Sequence, residues 1–207
     1  MASVTPTKKI DLYAQFKHEY VTPKAPVLVT IKPARYLAID GQGAPGGARF
    51  TAAIGALYAV AFTIKMSRKF DGRQDYAVSK LEGRWYFDGE ATDVARKDWR
   101  WTLMIRTPAF VTPAELRKAV TTLVARNKPT EVKEVRLETV KEGVSVQMLH
   151  VGPYENERET IDAMRAFAER RRLQFAGPHH EIYLSDPRRV PPPRLRTILR
   201  QPVRRVR

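Results

Sequence analysis

Hydrophobic and polar positions change period several times along this chain, and each change marks an element. From Trp99 to Arg106 they alternate, with Trp99, Trp101, Leu103 and Ile105 facing one way and Arg100, Thr102, Met104 and Arg106 the other. That is the period of a β-strand. From Ala48 to about Met66 the spacing is helical, and Phe50, Ile54, Leu57, Ala61 and Ile64 fall on one stripe. Val27–Ile31, Tyr36–Ile39, Tyr76–Leu81, Arg84–Phe87, Val135–Val140, Val146–Val151, His180–Leu184 and Leu195–Gln201 read as further strands. Thr112-Pro113-Ala114-Glu115 has the cap, first-turn proline and third-position acid of a helix start, and the helix runs to about Arg126. Another helix is expected over Glu157–Arg172, after the turn Gly152-Pro153-Tyr154. The glycines between Gly41 and Gly47 fit neither phosphate-binding pattern and read as a turn.

The order of elements repeats. Tyr36–Gly41 answers Met148–Gly152, each leading through a turn into an amphipathic helix, and Leu103–Pro108 answers Thr197–Pro202, each ending Arg-x-Pro. The expectation is an α+β fold of duplicated strand-helix-strand-strand modules, with helices on one face of antiparallel sheet and a ligand groove on the other. The modules span about 27–130 and 131–203 of a single domain. A polar arm (residues 1–26) precedes it, with a short helix somewhere in Ile10–Tyr20, and a basic tail end (204–207) follows.

Composition narrows the chemistry. The 207 residues include no cysteine, which removes disulfides, thiolate catalysis and cysteine metal sites. No apolar run of about 20 residues stands out as a membrane span, and the first 20 residues have no apolar signal core. A soluble cytoplasmic protein, monomer or homodimer, with no membrane partner, is expected. The net charge of +15 invites a nucleic-acid reading. Eight arginines and no acid lie between Arg188 and Arg207, however, so more than half of the excess sits in a stretch broken by Pro191, Pro192, Pro193 and Pro202. No recognition motif accompanies it, and no specific nucleic-acid partner is expected.

The strand His179–Leu184 carries the sharpest candidates. Its alternation separates His180, Ile182 and Leu184 from His179, Glu181 and Tyr183. With the aliphatic pair facing the helices, Glu181 and Tyr183 point into the open groove. Aromatics cluster nearby in sequence, and aromatic walls around a carboxylate suit a flat, partly apolar or cationic ligand. Desolvation there raises the proton affinity of Glu181 toward that of a useful general base. Tyr183 faces the same way and serves as donor or positioner; Glu157 or Glu82 is the second carboxylate. Glu157 also sits at a helix start, where the dipole accounts for an acid without any function. Trp85, Trp101 and Tyr58 are candidate walls, with Met148 and His179 as further ligand contacts. His179-His180 lacks a carboxylate or third histidine at ligand spacing, so no metal site and no cofactor are expected.

Several stretches together resemble a known family: Asp75–Val78 with Leu81–Trp85, Trp101–Arg106, Val146–Tyr154, and His179–Pro187. They are similar to the GyrI-like small-molecule-binding superfamily, and in particular to its stand-alone branch, which includes cyclopropanoid cyclopropyl hydrolases. The resemblance covers roughly residues 8–203. It implies a pseudo-two-fold pair of modules enclosing a ligand groove. In transcription-factor relatives such a module binds lipophilic cations through a buried glutamate. In the stand-alone hydrolases it opens electrophilic cyclopropanes of the DNA-alkylating yatakemycin and CC-1065 type by adding water, without a cofactor, for detoxification or self-resistance. The alternative expectation is a non-catalytic protein that sequesters lipophilic or cationic molecules.

Overall fold

The computed structural model describes residues 9–87 and 94–206; residues 1–8 of the expected arm, residues 88–93 and Arg207 of the tail end lie outside them. The chain runs α1 (Leu12–Gln15), β1 (Val27–Ile31), β2 (Ala34–Gln42), α2 (Ala48–Phe70), β3 (Leu81–Tyr86), β4 (Arg100–Arg106) and α3 (Pro113–Ala125). It continues through β5 (Arg136–Val140), β6 (Gly143–Val151), α4 (Glu157–Glu169), β7 (Leu173–Phe175), β8 (His179–Tyr183) and β9 (Arg196–Arg205). Eight strands form one antiparallel path in the order β1-β6-β9-β8-β3-β4-β2-β5, and β7 pairs with the end of β9.

The duplication is visible in this order. Each half contributes a three-strand unit, β3-β4-β2 from the first and β8-β9-β6 from the second, and the units meet where β3 pairs β8. The edge strands are exchanged: β1 precedes β2 but pairs β6, while β5 precedes β6 but pairs β2. Registers align the halves as the repeated motifs do. Tyr36 lies opposite Arg106, and Gln147 opposite Arg200, so the two Arg-x-Pro arginines occupy equivalent positions.

Helices α2 and α4 cover one face. Helix α2 buries Ala53, Ala56, Leu57, Val60, Ala61 and Ile64 against Leu37, Ile39, Leu103 and Ile105 of the sheet. By length and hydropathy it would pass as a membrane span, which the sequence reading had not picked out; in the fold it is the main core helix. Helix α4 packs Met164 and Ala168 on Val146 and Leu199. Helix α3 starts with the expected capping box, Thr112 and Glu115 each bonding the other's backbone.

The groove lies on the helices' own face, between α2 and α4, and not on the opposite face as expected. The reason is that the first described residues, 11–20, cover the opposite face. There Tyr13, Phe16 and Tyr20 pack on Ile182, Ile198 and Leu184, the aliphatics that had been assigned to the helix side. A buried polar layer accompanies them. Arg106 pairs with Glu19 at 2.7 Å, Tyr20 donates to Glu82 at 3.0 Å, and His180 lies 3.0 Å from Glu82 and 2.8 Å from Glu142. Arg200 bonds Glu142 at 3.0 Å and Gln147 at 2.8 Å, and Gln147 donates to the Val21 carbonyl at 2.7 Å. The two equivalent arginines thus grip one segment of the arm, each also standing over the Tyr20 ring.

Boundaries differ in four places. The expected strand Tyr76–Leu81 is reduced to an isolated bridge between Ile10 and Tyr76, and β3 starts at Leu81. Helix α4 ends at Glu169, before Arg172 turns to φ 56°. Strand β9 runs past Gln201 to Arg205 because β7, too short to stand out in the sequence, pairs with its last residues. Arg204 and Arg205 are therefore strand residues.

A carboxylate buried against a single arginine cannot be removed cheaply, because the arginine then stays buried without its counter-charge. Glu19→Ala should lower stability by about 3–5 kcal/mol in equilibrium chemical denaturation. A loss below about 1 kcal/mol would show that the arm is not held by this pair.

Candidate functional site

Strand β8 places the site. Gly83 of β3 lies opposite Glu181, and Trp85 opposite His179, so Trp85, His179, Glu181 and Tyr183 all project toward the helices. They line a cavity of about 1500 Å³ together with Phe50, Ile54, Tyr58 and Phe62 of α2 and Tyr154, Glu157, Ile161 and Arg165 at α4. Gly83 is required where it stands. A Cβ there would lie 2.9 Å from the Tyr183 hydroxyl and 3.4 Å from the Trp85 indole nitrogen, so both groups use the space over this glycine.

The α4 side is delivered by a turn. His150, at the end of β6, contacts the Pro153 carbonyl through Nε2 at 3.1 Å and the Thr160 hydroxyl through Nδ1 at 3.0 Å. The carbonyl can only accept, so Nε2 donates and Nδ1 accepts from Thr160. Gly152, at φ 140°, lets the chain reverse between them. This holds Tyr154 and Glu157 above β8, with the Tyr154 and Tyr183 rings meeting edge-on at 6.0 Å.

The acids share one environment. Glu157, His179 and Glu181 each bring one oxygen or nitrogen within 4.8 Å of the other two. Burial pushes the Glu181 carboxyl up to about 7, with Tyr183, the Trp85 indole and His180 pulling the other way. Burial raises Glu157 well above the carboxylate range, and the charges of Glu181 and Glu155 add to it. Two acids this close, both desolvated, hold a proton between them. Burial lowers His179 to about 4, so its ring is neutral at pH 7. Burial raises Tyr154 to about 12 and Tyr183 well above the phenol range, which keeps both as O–H donors.

Of the nine residues singled out in the sequence, six line this cavity: Glu181, Tyr183, Glu157, Trp85, Tyr58 and His179. Three do not. Trp101 is core, covering Gly41, packed edge-on against Phe50 at 5.2 Å and donating to the Gly43 carbonyl at 3.2 Å. Glu82 is on the reverse face, bonded to Tyr20, because its position in β3 has the opposite parity to Trp85. Met148 packs under α4 instead of into the opening. The cavity also uses residues not anticipated. Tyr154 lies in the turn the sequence marks, while Phe50 and Phe62 belong to the apolar face of α2 without distinguishing themselves from core. His179 and His180 point to opposite faces and cannot share an ion. The third partner that the histidines lack in sequence is nevertheless supplied in space by Glu157 and Glu181, whose spacing with His179 would admit a metal ion.

The chain matches the GyrI-like family, described as a GyrI-like small molecule binding domain, over residues 24–204. Among curated proteins none matches. A crystal structure of an uncharacterised conserved protein from Listeria innocua is 37% identical, with a TM-score of 0.88, covering 95% of this chain and 100% of that one. Another crystal structure, described as a hydrolase from Listeria innocua, is also 37% identical over the same shares, with a TM-score of 0.86. The C-terminal domain of EcmrR shares the fold at 12% identity and a TM-score of 0.57, covering 87% of this chain and 98% of that one.

A carboxyl raised from 4.5 to about 7 contributes stability that is complete below pH 4.5 and is lost as pH rises through 7. Relative to Glu181→Gln, the wild type should therefore lose stability between pH 4.5 and 7, approaching about 3 kcal/mol. Denaturant titration of both proteins at pH 4.5 and pH 8 measures this. Equal pH slopes would place Glu181 in a solvated setting.

Proposed function

This chain belongs to the GyrI-like small-molecule-binding family, and we propose that it is a hydrolase that opens electrophilic cyclopropane rings by adding water, protecting the cell from DNA-alkylating compounds. The observation that carries this reading is the proton-sharing pair Glu181–Glu157 under aromatic walls. The 37%-identical Listeria protein described as a hydrolase supports the reaction class.

The chemistry follows from the residues. A cyclopropane fused to a conjugated ketone is opened when water attacks a ring carbon. One C–C bond breaks, its electron pair moves through the conjugated system, and the ketone oxygen becomes a phenolate. Glu181, ionised above about pH 7, takes a proton from the attacking water. The phenolate takes one from a donor in the cavity, for which Glu157 in its protonated form and the Tyr154 and Tyr183 hydroxyls are the available groups. The sum is one water added. Trp85, stacked with Phe50 at 5.8 Å, and the Tyr58–Phe62 pair offer flat surfaces for a planar polycyclic ligand.

The same acids and rings favour a second reading, sequestration of a lipophilic cation without chemistry. Incubation with a duocarmycin-type cyclopropadienone, followed by mass spectrometry, separates the two. The wild type should give product heavier by one water, and Glu181→Gln should lose at least 100-fold in rate while still quenching tryptophan fluorescence on binding. Unchanged compound bound by both proteins would establish sequestration instead.

The rate should rise with pH through a midpoint near 7, the value of the acid pair and not of either carboxyl alone. A chelator should leave it unchanged. Loss of activity with chelator, restored by a divalent metal, would make Glu157, His179 and Glu181 a metal centre.

A further inference from the structure

Directly behind the cavity, on the reverse face of β8, His180 is buried completely and stands between two carboxylates. Nδ1 is 2.8 Å from Glu142 Oε1 and Nε2 is 3.0 Å from Glu82 Oε2. Carboxylates accept and do not donate when ionised, so both ring nitrogens are called on to carry protons. The carboxylates are themselves committed: Glu142 to Arg200 at 3.0 Å, and Glu82 to the Tyr20 hydroxyl at 3.0 Å. Tyr20 in turn accepts from Arg106 at 3.2 Å, and Arg106 pairs with Glu19. Three acids and two arginines are thus balanced in this layer only when His180 supplies the third positive charge.

We propose that His180 is a positioning residue for the cavity: held as an imidazolium beneath the sheet, it sets a fixed positive charge behind Glu181 and keeps that carboxylate available as a base. This rests on the reading of Glu181 given above. Burial opposes charge on His180, but Glu142 and Glu82 raise its affinity for the proton. Against burial, His180 and Arg200 in turn hold Glu142 down to about 2.

The groups that act on the pair can be named on every side. Glu181 faces Glu157 from α4, Tyr154 from the turn before it, and His179 and Tyr183 from its own strand. His180 faces Glu82 from β3, Glu142 from the β5–β6 turn and Arg200 from β9, with Arg84 its partner in register. Replacing His180 by a neutral residue removes the nearest cation and leaves Glu82 and Glu142 less compensated. Both changes raise Glu181, so the sign does not depend on which dominates.

The test reads the carboxyl itself. In glutamate 13C-labelled protein, the Glu181 side-chain resonance is assigned by its absence in Glu181→Gln and titrated by NMR. In His180→Gln its midpoint should move up by about one pH unit, the size expected for a unit charge removed at several ångströms in a medium of effective dielectric near 20. A folded His180→Gln protein with an unmoved midpoint would overturn the proposal. If that variant does not fold, the 15N spectrum of the wild type decides: two protonated ring nitrogens on His180 at pH 7 support the proposal, and one refutes it. Neither readout needs turnover, so a protein that binds but does not open cyclopropanes would defeat the hydrolase reading and leave this result intact.

Discussion

A strand covered on both faces has to account for every polar side chain it carries, and β8 is such a strand. Its five residues separate by parity into an upper set that meets the cavity and a lower set that meets the arm. Charges cannot be buried below without partners, since an unpaired ion in that setting costs several kcal/mol. The lower face therefore gathers Glu19, Glu82 and Glu142 against Arg106, Arg200 and His180. The upper face leaves its acids without cations of comparable closeness, and this is what gives them an appetite for protons. One strand makes a saturated layer and an unsaturated one, a few ångströms apart.

The parity of β8 was legible in the sequence, and so was the direction of Glu181 and Tyr183 into a cavity. Which side the cavity lay on was not. Ile182 and Leu184 look like core residues and are core residues, but the core they join is built by Tyr13, Phe16 and Tyr20 from the polar-looking arm. Nothing local distinguishes an aliphatic that meets a helix from one that meets an arm distant in sequence. Trp85 and Trp101 illustrate the same limit. They are direct partners across β3 and β4, facing the same way, yet the one nearer the centre of the sheet borders the cavity and the other lies under the start of α2. Glu82 is wrong by one residue of register, which in a strand is enough to change faces.

The duplication explains both the symmetry of the lower layer and the asymmetry of the upper one. The repeated Arg-x-Pro signal was weak in sequence, but it marked Arg106 and Arg200, which converge on one segment from the two halves. In the same alignment of registers, Leu81 and Gly83 of β3 occupy the places of Glu181 and Tyr183 in β8. The first half therefore contributes space and wall where the second contributes an acid and a phenol. Gly83 shows how the two halves combine, since its missing side chain makes the room that the Tyr183 hydroxyl fills.

Glu157 is the residue at which two ordinary effects compete. At the first position of α4 the helix dipole favours its anion, an effect of about 0.3–1 kcal/mol at the surface and about 2 kcal/mol in partly buried sites. Here the residue is only 7% exposed and lies beside a second carboxyl, and burial followed by that neighbour takes its affinity for the proton well above the ordinary range. Desolvation and like charge win, so the pair carries about one negative charge near neutrality where two solvated glutamates would carry two. A half-protonated pair serves a water addition, because acid and base are present together without an external proton donor. It also leaves one uncompensated charge among aromatic rings, which is what attracts a cation. Both readings of the cavity therefore draw on the same physical state, and they part only at whether a bound electrophile presents a carbon that water can reach.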